Sequence, residues 1–327
     1  MAPAILVDEP SSTEQTQSFD SDKPTVYVID KFHPQAVAHA RTLFNVVLHT
    51  DAAFANWQEK AEYILLRGSY LRASDIARCP RLLAVGKHGV GIDKIDAAAC
   101  AARGIRILNT PGANAQAVAE LVLALALAVA RQIPAITARQ VVEAVPKESC
   151  WGQCLHGKTV GVVGMGNIGR RVAKMFRGAF DAPVIAFDPY VPADAWADVP
   201  HRRVESYRDV LAEADVLTIH VPLTEETRDM IAYKELAGMK RTAILINASR
   251  GGIVNESDLE KALAESLIWG AGLDAHEVEP PTVEKYGSLW KLPNVVSTPH
   301  IGAATEDAQL MSALGAVDNL YNYIKTR

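Results

Sequence analysis

The stretch Val160-Gly161-Val162-Val163-Gly164-Met165-Gly166-Asn167-Ile168-Gly169-Arg170-Arg171-Val172-Ala173-Lys174-Met175-Phe176 decides the reading of this chain. A short valine-rich run reads as a buried strand, a G-x-G-x-x-G turn follows at once, and the next residues repeat apolar positions at helical spacing. Gly164 permits the tight turn, Gly166 lets a pyrophosphate approach the backbone, and Gly169 lets helix and strand pack closely. Nineteen residues after Gly169, the run Val184–Phe187 ends in Asp188. A carboxylate there accepts hydrogen bonds from an adenosine ribose diol and repels a 2′-phosphate, which favours NAD over NADP. Arg202 and Arg203 are near enough in sequence to keep NADP as the less favoured alternative. The string Gly152-Gln153-Cys154-Leu155-His156-Gly157-Lys158-Thr159 formally matches a nucleotide-triphosphate loop. A strand pattern follows it where the phosphate-binding helix should start, so it reads as a turn.

Outward from that stretch, short β-branched runs alternate with helical patterns from Thr25 onward, the signature of an α/β protein with parallel sheets covered on both faces. Strands are expected at Thr25–Ile29, Asn45–Leu48, Tyr63–Leu66, Leu82–Val85 and Ile105–Leu108, with helices around Pro34–Thr42 and Asp93–Arg103. A second series follows at Val160–Val163, Val184–Phe187, Val216–His220, Ala243–Ile246, Ile268–Leu273 and Val295–Ser297, six strands that complete a doubly wound sheet. Between the two series, an apolar helix over about Ala115–Arg131 predicts burial between layers or in a subunit interface. Ser257 to Glu260 has capping-box spacing, which predicts a helix starting there. With 327 residues, about two domains of roughly 150 residues are expected.

Composition narrows the partners. A net charge of −5 with 22% charged and 49% hydrophobic residues is that of an ordinary globular protein. It offers no basic surplus for nucleic acid. Cys79, Cys100, Cys150 and Cys154 lack paired Cys-x-x-Cys spacing and read as reduced thiols in a cytoplasmic protein. The apolar run Leu121–Ala130 is far short of the roughly 20 residues a bilayer requires, so no membrane association is expected. Residues 1–24 have neither a basic start nor a long apolar stretch and are expected to form a disordered arm rather than a targeting segment.

Three strand ends of the second series carry polar groups where ligands of open α/β sheets collect: Asn247-Ala248-Ser249-Arg250-Gly251-Gly252, Gly272-Leu273-Asp274-Ala275-His276-Glu277-Val278-Glu279-Pro280 and Thr298-Pro299-His300-Ile301-Gly302-Ala303. With Lys87-His88-Gly89-Val90-Gly91-Ile92-Asp93 in the first series, this order resembles the D-isomer-specific 2-hydroxyacid dehydrogenases from about Thr25 to the C-terminus.

The resemblance implies a Rossmann cofactor domain over 113–303 inserted into a smaller flavodoxin-like substrate domain made of 25–112 and 304–327, with the site in the cleft between them. It implies that Arg250 binds the substrate carboxylate and polarises the carbonyl, as a planar guanidinium can. His300 would be the acid/base for the C2 oxygen and Glu279 its carboxylate partner. Val90 and Gly91 would offer backbone amides to the substrate carboxylate, and Arg67, Lys87 and His88 would add positive potential near its distal end. Asn167, Ile168, Val221, Ala248, Ser249, Asp274 and Ala303 would line the dinucleotide, with Asp274 near the nicotinamide amide. A symmetric homodimer formed through the long apolar helix is also implied. His276 departs from the family, which usually has Phe or Tyr there, and its spacing to Glu279 lacks the further ligands a metal site needs. No regulatory module is expected after Arg327. Two other readings share the fold: an NAD(H)-sensing corepressor-type binding protein, and a formate dehydrogenase, disfavoured because that family keeps glutamine where Glu279 stands.

Overall fold

The computed structural model describes residues 19–327. Of the arm expected over residues 1–24, residues 1–18 lie outside the described residues. Asp20 and Lys23 are tied to the start of the strand Asn45–Leu48: Asp20 N–H donates to Asn45 Oδ1 at 2.9 Å, and Asn45 Nδ2 donates to the Asp20 and Lys23 carbonyls.

Two compact units emerge. The first comprises the described residues up to Lys87 with Ile92–Leu108 and Val317–Arg327; the second comprises His88–Gly91 and Asn109–Ala316. In the first unit, β1 (Thr25–Val28), β2 (Asn45–Leu48), β3 (Tyr63–Leu66), β4 (Ala84–Lys87) and β5 (Arg106–Leu108) form a parallel sheet in the order β2-β1-β3-β4-β5, the flavodoxin-like order. Its strands are apolar along most of their length because both faces are covered. Tyr27, Val47, Ile64, Leu66 and Val85 pack on one face with Ile76, Leu82, Ile95 and Cys100.

The second unit contains β6 (Val160–Val163), β7 (Val184–Phe187), β8 (Arg202–Arg203), β9 (Val216–Ile219), β10 (Ile244–Asn247), β11 (Gly270–Leu273) and β12 (Val295–Ser297), parallel throughout in the order β12-β11-β10-β9-β6-β7-β8. Chain order reverses between β6 and β9, the switch point where dinucleotides lie in a Rossmann sheet. Alternation divides the core in two. Val160, Val162, Ile244 and Ile246 face the helices Ala115–Ala130 and Asn167–Phe180; Val163, Leu217, Ile219 and Leu245 face the other way onto Val210, Leu236, Leu259 and Leu289.

Two sequence expectations need correction. Strand β8 was not anticipated, because it is a two-residue edge of charged side chains with no apolar pattern, a common way to blunt a sheet edge. The helix Glu256–Ala264 starts before the expected capping box: Asn255 Oδ1 accepts from the Asp258 N–H at 3.0 Å, and Ser257 is helical. As expected of a helix buried between layers, Ala115–Ala130 buries Val118, Val122, Leu125 and Val129 against its own unit, on β10, β11 and the helix Asn167–Phe180. Full burial of each contributes roughly 1.5–3 kcal/mol, so packing within the unit already explains its composition. The exposed apolar helix is the next one, Ile133–Val142, which has no buried residue. It starts after Gln132, whose φ of +51° breaks the run. No single helix among the described residues is long and apolar enough to cross a membrane.

Candidate active site

The glycine turn leaves β6 as its spacing requires. Gly164 has φ +102°, and a Cβ there would sit 2.6 Å from the His220 carbonyl oxygen; one on Gly169 would sit 2.2 Å from the Gly164 carbonyl oxygen. By contrast, nothing lies within 4 Å of the position a Cβ would take on Gly166, which is the N-cap of the helix Asn167–Phe180 and brings no capping side chain. The first backbone N–H groups of that helix have no intrahelical acceptor and no capping side chain at Gly166, which suits a pyrophosphate. The residues present fit a dinucleotide.

Asp188, at the end of β7, turns back to this loop. Its Oδ2 accepts from the Met165 N–H at 2.8 Å and its Oδ1 from the Tyr190 N–H at 2.9 Å. Arg203 is spent on backbone: its guanidinium donates to the carbonyls of Asp188, Val191 and Pro192 at 2.6, 2.9 and 2.7 Å. Arg202 pairs with Glu213. The two cations that kept NADP in play are thus engaged elsewhere. Ser249 Oγ donates to the Val221 carbonyl, joining the β9 and β10 ends, and Ala248 is buried beside it.

Arg250, Glu279 and His300 come from the ends of β10, β11 and β12. Buried Asn247 shapes the first loop: its Nδ2 donates to the Arg250 carbonyl at 2.8 Å while its Oδ1 accepts from the Ser249 N–H at 3.1 Å. Gly251 then lies flat against the second loop, where an added Cβ would be 1.9 Å from the His276 carbonyl carbon and 2.2 Å from the Glu277 nitrogen. Only glycine allows the Arg250 and Glu279 loops to approach so closely.

His300 adopts φ +60°, a left-handed conformation that costs a non-glycine residue about 1–2 kcal/mol. Asp274, 1% exposed, supports that turn. Its Oδ1 accepts from Thr298 Oγ1 at 2.6 Å and the Ile301 N–H at 2.7 Å, and its Oδ2 from the Gly302 N–H at 2.8 Å. No sequence motif announces this clamp, since its partners stand 24 to 28 residues away.

His300 Nδ1–H donates to Glu279, 2.9 Å from Oε1 and 3.0 Å from Oε2. That bond raises the imidazole pKa above its ordinary value; burial and the nearby Arg250 guanidinium oppose the rise without cancelling it. Burial pushes the Glu279 carboxyl up, but His300 and the His276 N–H outweigh it and hold it below the usual carboxylate value. With Nδ1 committed to Glu279, Nε2 is the atom free to carry the exchangeable proton. Glu279 and His300 are thus paired, and the Arg250 guanidinium, whose Nη1 donates to the Ser249 carbonyl at 2.8 Å, lies within electrostatic reach of His300.

The remaining expected positions divide between the units. In the second, Asn109 Nδ2 donates to the Val90 carbonyl at 2.7 Å, and Gly89 N–H to Thr110 Oγ1 at 3.0 Å, shaping the loop that continues through Gly91. His88 Nε2 lies 3.2 Å from the Gln309 carbonyl oxygen, and Gln309 Nε2 donates to the Ala303 carbonyl at 2.7 Å, tying this segment to the His300 loop. In the first, Asp30 accepts the N–H groups of Arg67, Gly68 and Ser69, and the Arg67 carbonyl accepts from buried Lys87 Nζ at 2.8 Å.

Comparison with known proteins places the chain in a family. Residues 123–302 match the family described as D-isomer specific 2-hydroxyacid dehydrogenase, NAD binding domain. The chain is 37% identical over 288 residues to a D-3-phosphoglycerate dehydrogenase of Methanocaldococcus jannaschii, covering 87% of itself but only 54% of that relative. It spans, then, about half the length of such relatives. It is 38% identical over 263 residues to a hydroxypyruvate reductase of Thermotoga maritima, covering 80% and 84% of the two chains. The crystal structure of the TT0316 protein from Thermus thermophilus superposes with a TM-score of 0.80 at 33% identity, over 93% of this chain and 97% of that one. The chain belongs to the D-isomer specific 2-hydroxyacid dehydrogenase family and carries its NAD binding domain.

Proposed function

We propose that the protein is an NAD-dependent oxidoreductase that interconverts a small 2-oxo acid and the corresponding D-2-hydroxy acid. The His300–Glu279 pair, with the Arg250 guanidinium within electrostatic reach of His300, supports this reading. Arg250 holds the substrate carboxylate and polarises the C2 carbonyl, a role suited to its fixed fork of N–H donors. Val90 and Gly91 offer backbone amides to the same carboxylate. The bound nicotinamide supplies or accepts the hydride at C2. As negative charge develops on the C2 oxygen, His300 Nε2 delivers a proton, and Glu279 stabilises the imidazolium before transfer and fixes its ring. In the oxidative direction neutral His300 takes the hydroxyl proton. Asn167, Ile168 and the amides behind Gly166 would hold the pyrophosphate, and Asp188 the adenosine ribose.

The helix Ile133–Val142 exposes 52% of Ile133 and 81% of each of Val141 and Val142, and Trp151 nearby in sequence is 77% exposed. This surface supports a homodimer as the working form. The direct test of the reaction is a panel of 2-oxo acids followed at the NADH absorbance and repeated with NADPH. Turnover of at least one acid with NADH is expected; nucleotide binding without turnover across the panel contradicts the assignment.

A further inference from the structure

His276 is shut away from solvent. The residue is 3% exposed, and its ring meets Tyr286 edge-on with centroids 5.0 Å apart. Nε2 shares a 2.8 Å hydrogen bond with Ser297 Oγ, while Nδ1 is buried with no hydrogen-bond partner among the described residues. Its backbone N–H donates to Glu279 Oε1 at 3.2 Å, the same oxygen that accepts from His300 Nδ1 at 2.9 Å. Ser297 ends β12, three residues before His300. One residue therefore links the loop that carries Glu279 to the strand end that leads into His300.

Packing alone does not explain a histidine here. A phenylalanine would fill the same space without leaving a buried nitrogen unpartnered, which is unfavourable in a low-dielectric interior. What a phenylalanine lacks is the bond to Ser297.

We propose that His276 is a positioning residue for the proton-transfer pair: its bond to Ser297 braces the two loops and sets the Glu279 carboxylate against His300 Nδ1. The proposal deepens the functional reading above and rests on the same pair. The groups facing His276 are Glu279 on its own loop, Asp274 at the end of β11, Tyr286 from the helix Val283–Trp290, and Ser297 and His300 from β12 and the loop after it. Burial holds the imidazole below its ordinary pKa, against the pull of Glu279 and Asp274. The ring is thus neutral while His300 titrates, and the brace persists through that titration.

The test is an NMR titration of labelled histidines in the full chain, with H276F, S297A and H276Q each checked for folding by circular dichroism. The His300 midpoint is expected to fall by about half a pH unit or more in H276F and in S297A, as Glu279 loses its fixed position. H276Q, whose amide places a donor near the Nε2 position, is expected to recover most of that shift. With a 2-oxo acid substrate, kcat should drop about tenfold in H276F with KM within about twofold, as for a group that acts on the transition state. An unmoved His300 midpoint in folded H276F or S297A overturns the brace. Absence of turnover in the wild type, with the midpoint still falling in both variants, removes the proposed reaction and leaves the brace standing.

Discussion

Both carboxylate oxygens of Glu279 lie within hydrogen-bond reach of His300 Nδ1, at 2.9 and 3.0 Å. This relationship fixes the sign of the pH dependence. In the proposed reaction, reduction requires protonated His300, whose pKa is raised above the ordinary 6.5. The kcat/KM for a 2-oxo acid should therefore be flat below that raised value and fall about tenfold per pH unit above it, while oxidation of the hydroxy acid rises through the same point. Substituting Glu279→Gln removes the largest cause of the rise and leaves burial and Arg250 to outweigh Asp274, so the midpoint should fall below the ordinary 6.5 and kcat should drop about 10- to 100-fold. Initial rates across pH 5 to about 9 check this; an E279Q profile with the wild-type midpoint contradicts it. Stability follows the same signs. The contribution of His300 is present below about pH 6.5 and lost as pH rises through its raised value, whereas that of Glu279 is present above about 4.5 and lost as pH falls through its lowered value.

Cofactor choice should follow from Asp188 and Arg203. With the arginine engaged by three carbonyls and the Asp188 carboxylate at the end of β7, NADH should bind about 10- to 100-fold more tightly than NADPH. Asp188→Ala should narrow that ratio mainly by weakening NADH. Fluorescence titration with both nucleotides measures it, and equal affinities in the wild type would sink the argument.

Gly251→Ala should be far more damaging than Gly68→Ala. The first places a methyl 1.9 Å from backbone, so the Arg250 and Glu279 loops must separate; the second meets nothing within 4 Å. A loss of about 1–3 kcal/mol or more is expected for G251A, against a change within about 1 kcal/mol for G68A. Urea midpoints at unchanged m-value report both, and equal midpoints for the two variants would refute the close-contact argument.

Self-association should depend on the helix Ile133–Val142. Placing glutamate at Val141 and Val142, each 81% exposed, leaves the core untouched but puts charge on the apolar face. Sedimentation velocity should show a dimer for the wild type and a monomer for V141E/V142E; a wild-type monomer or an unaffected dimer rules this surface out.

Much of the fold was legible because parallel strands covered on both faces read as short apolar runs: Asn45–Leu48, Tyr63–Leu66, Val160–Val163, Val184–Phe187 and Val295–Ser297 stand where the pattern put them. Arg202–Arg203 had no such pattern and was missed. The cap at Asn255 was missed because Ser257 offered the same local chemistry two residues later. At the site, the three strand-end motifs, through the family they resemble, pointed to Arg250, Glu279 and His300. The clamp of Asp274 on the His300 turn and the bond of His276 to Ser297 join residues 21 to 28 positions apart, which only the folded sheet brings together.

The most direct test is the turnover of His300→Gln beside its affinity for NADH. The account predicts a loss of about 10²–10⁴ in kcat on any 2-oxo acid the wild type reduces, with the NADH dissociation constant unchanged within about threefold. Undiminished turnover in H300Q would contradict the assignment of the transferred proton to this imidazole.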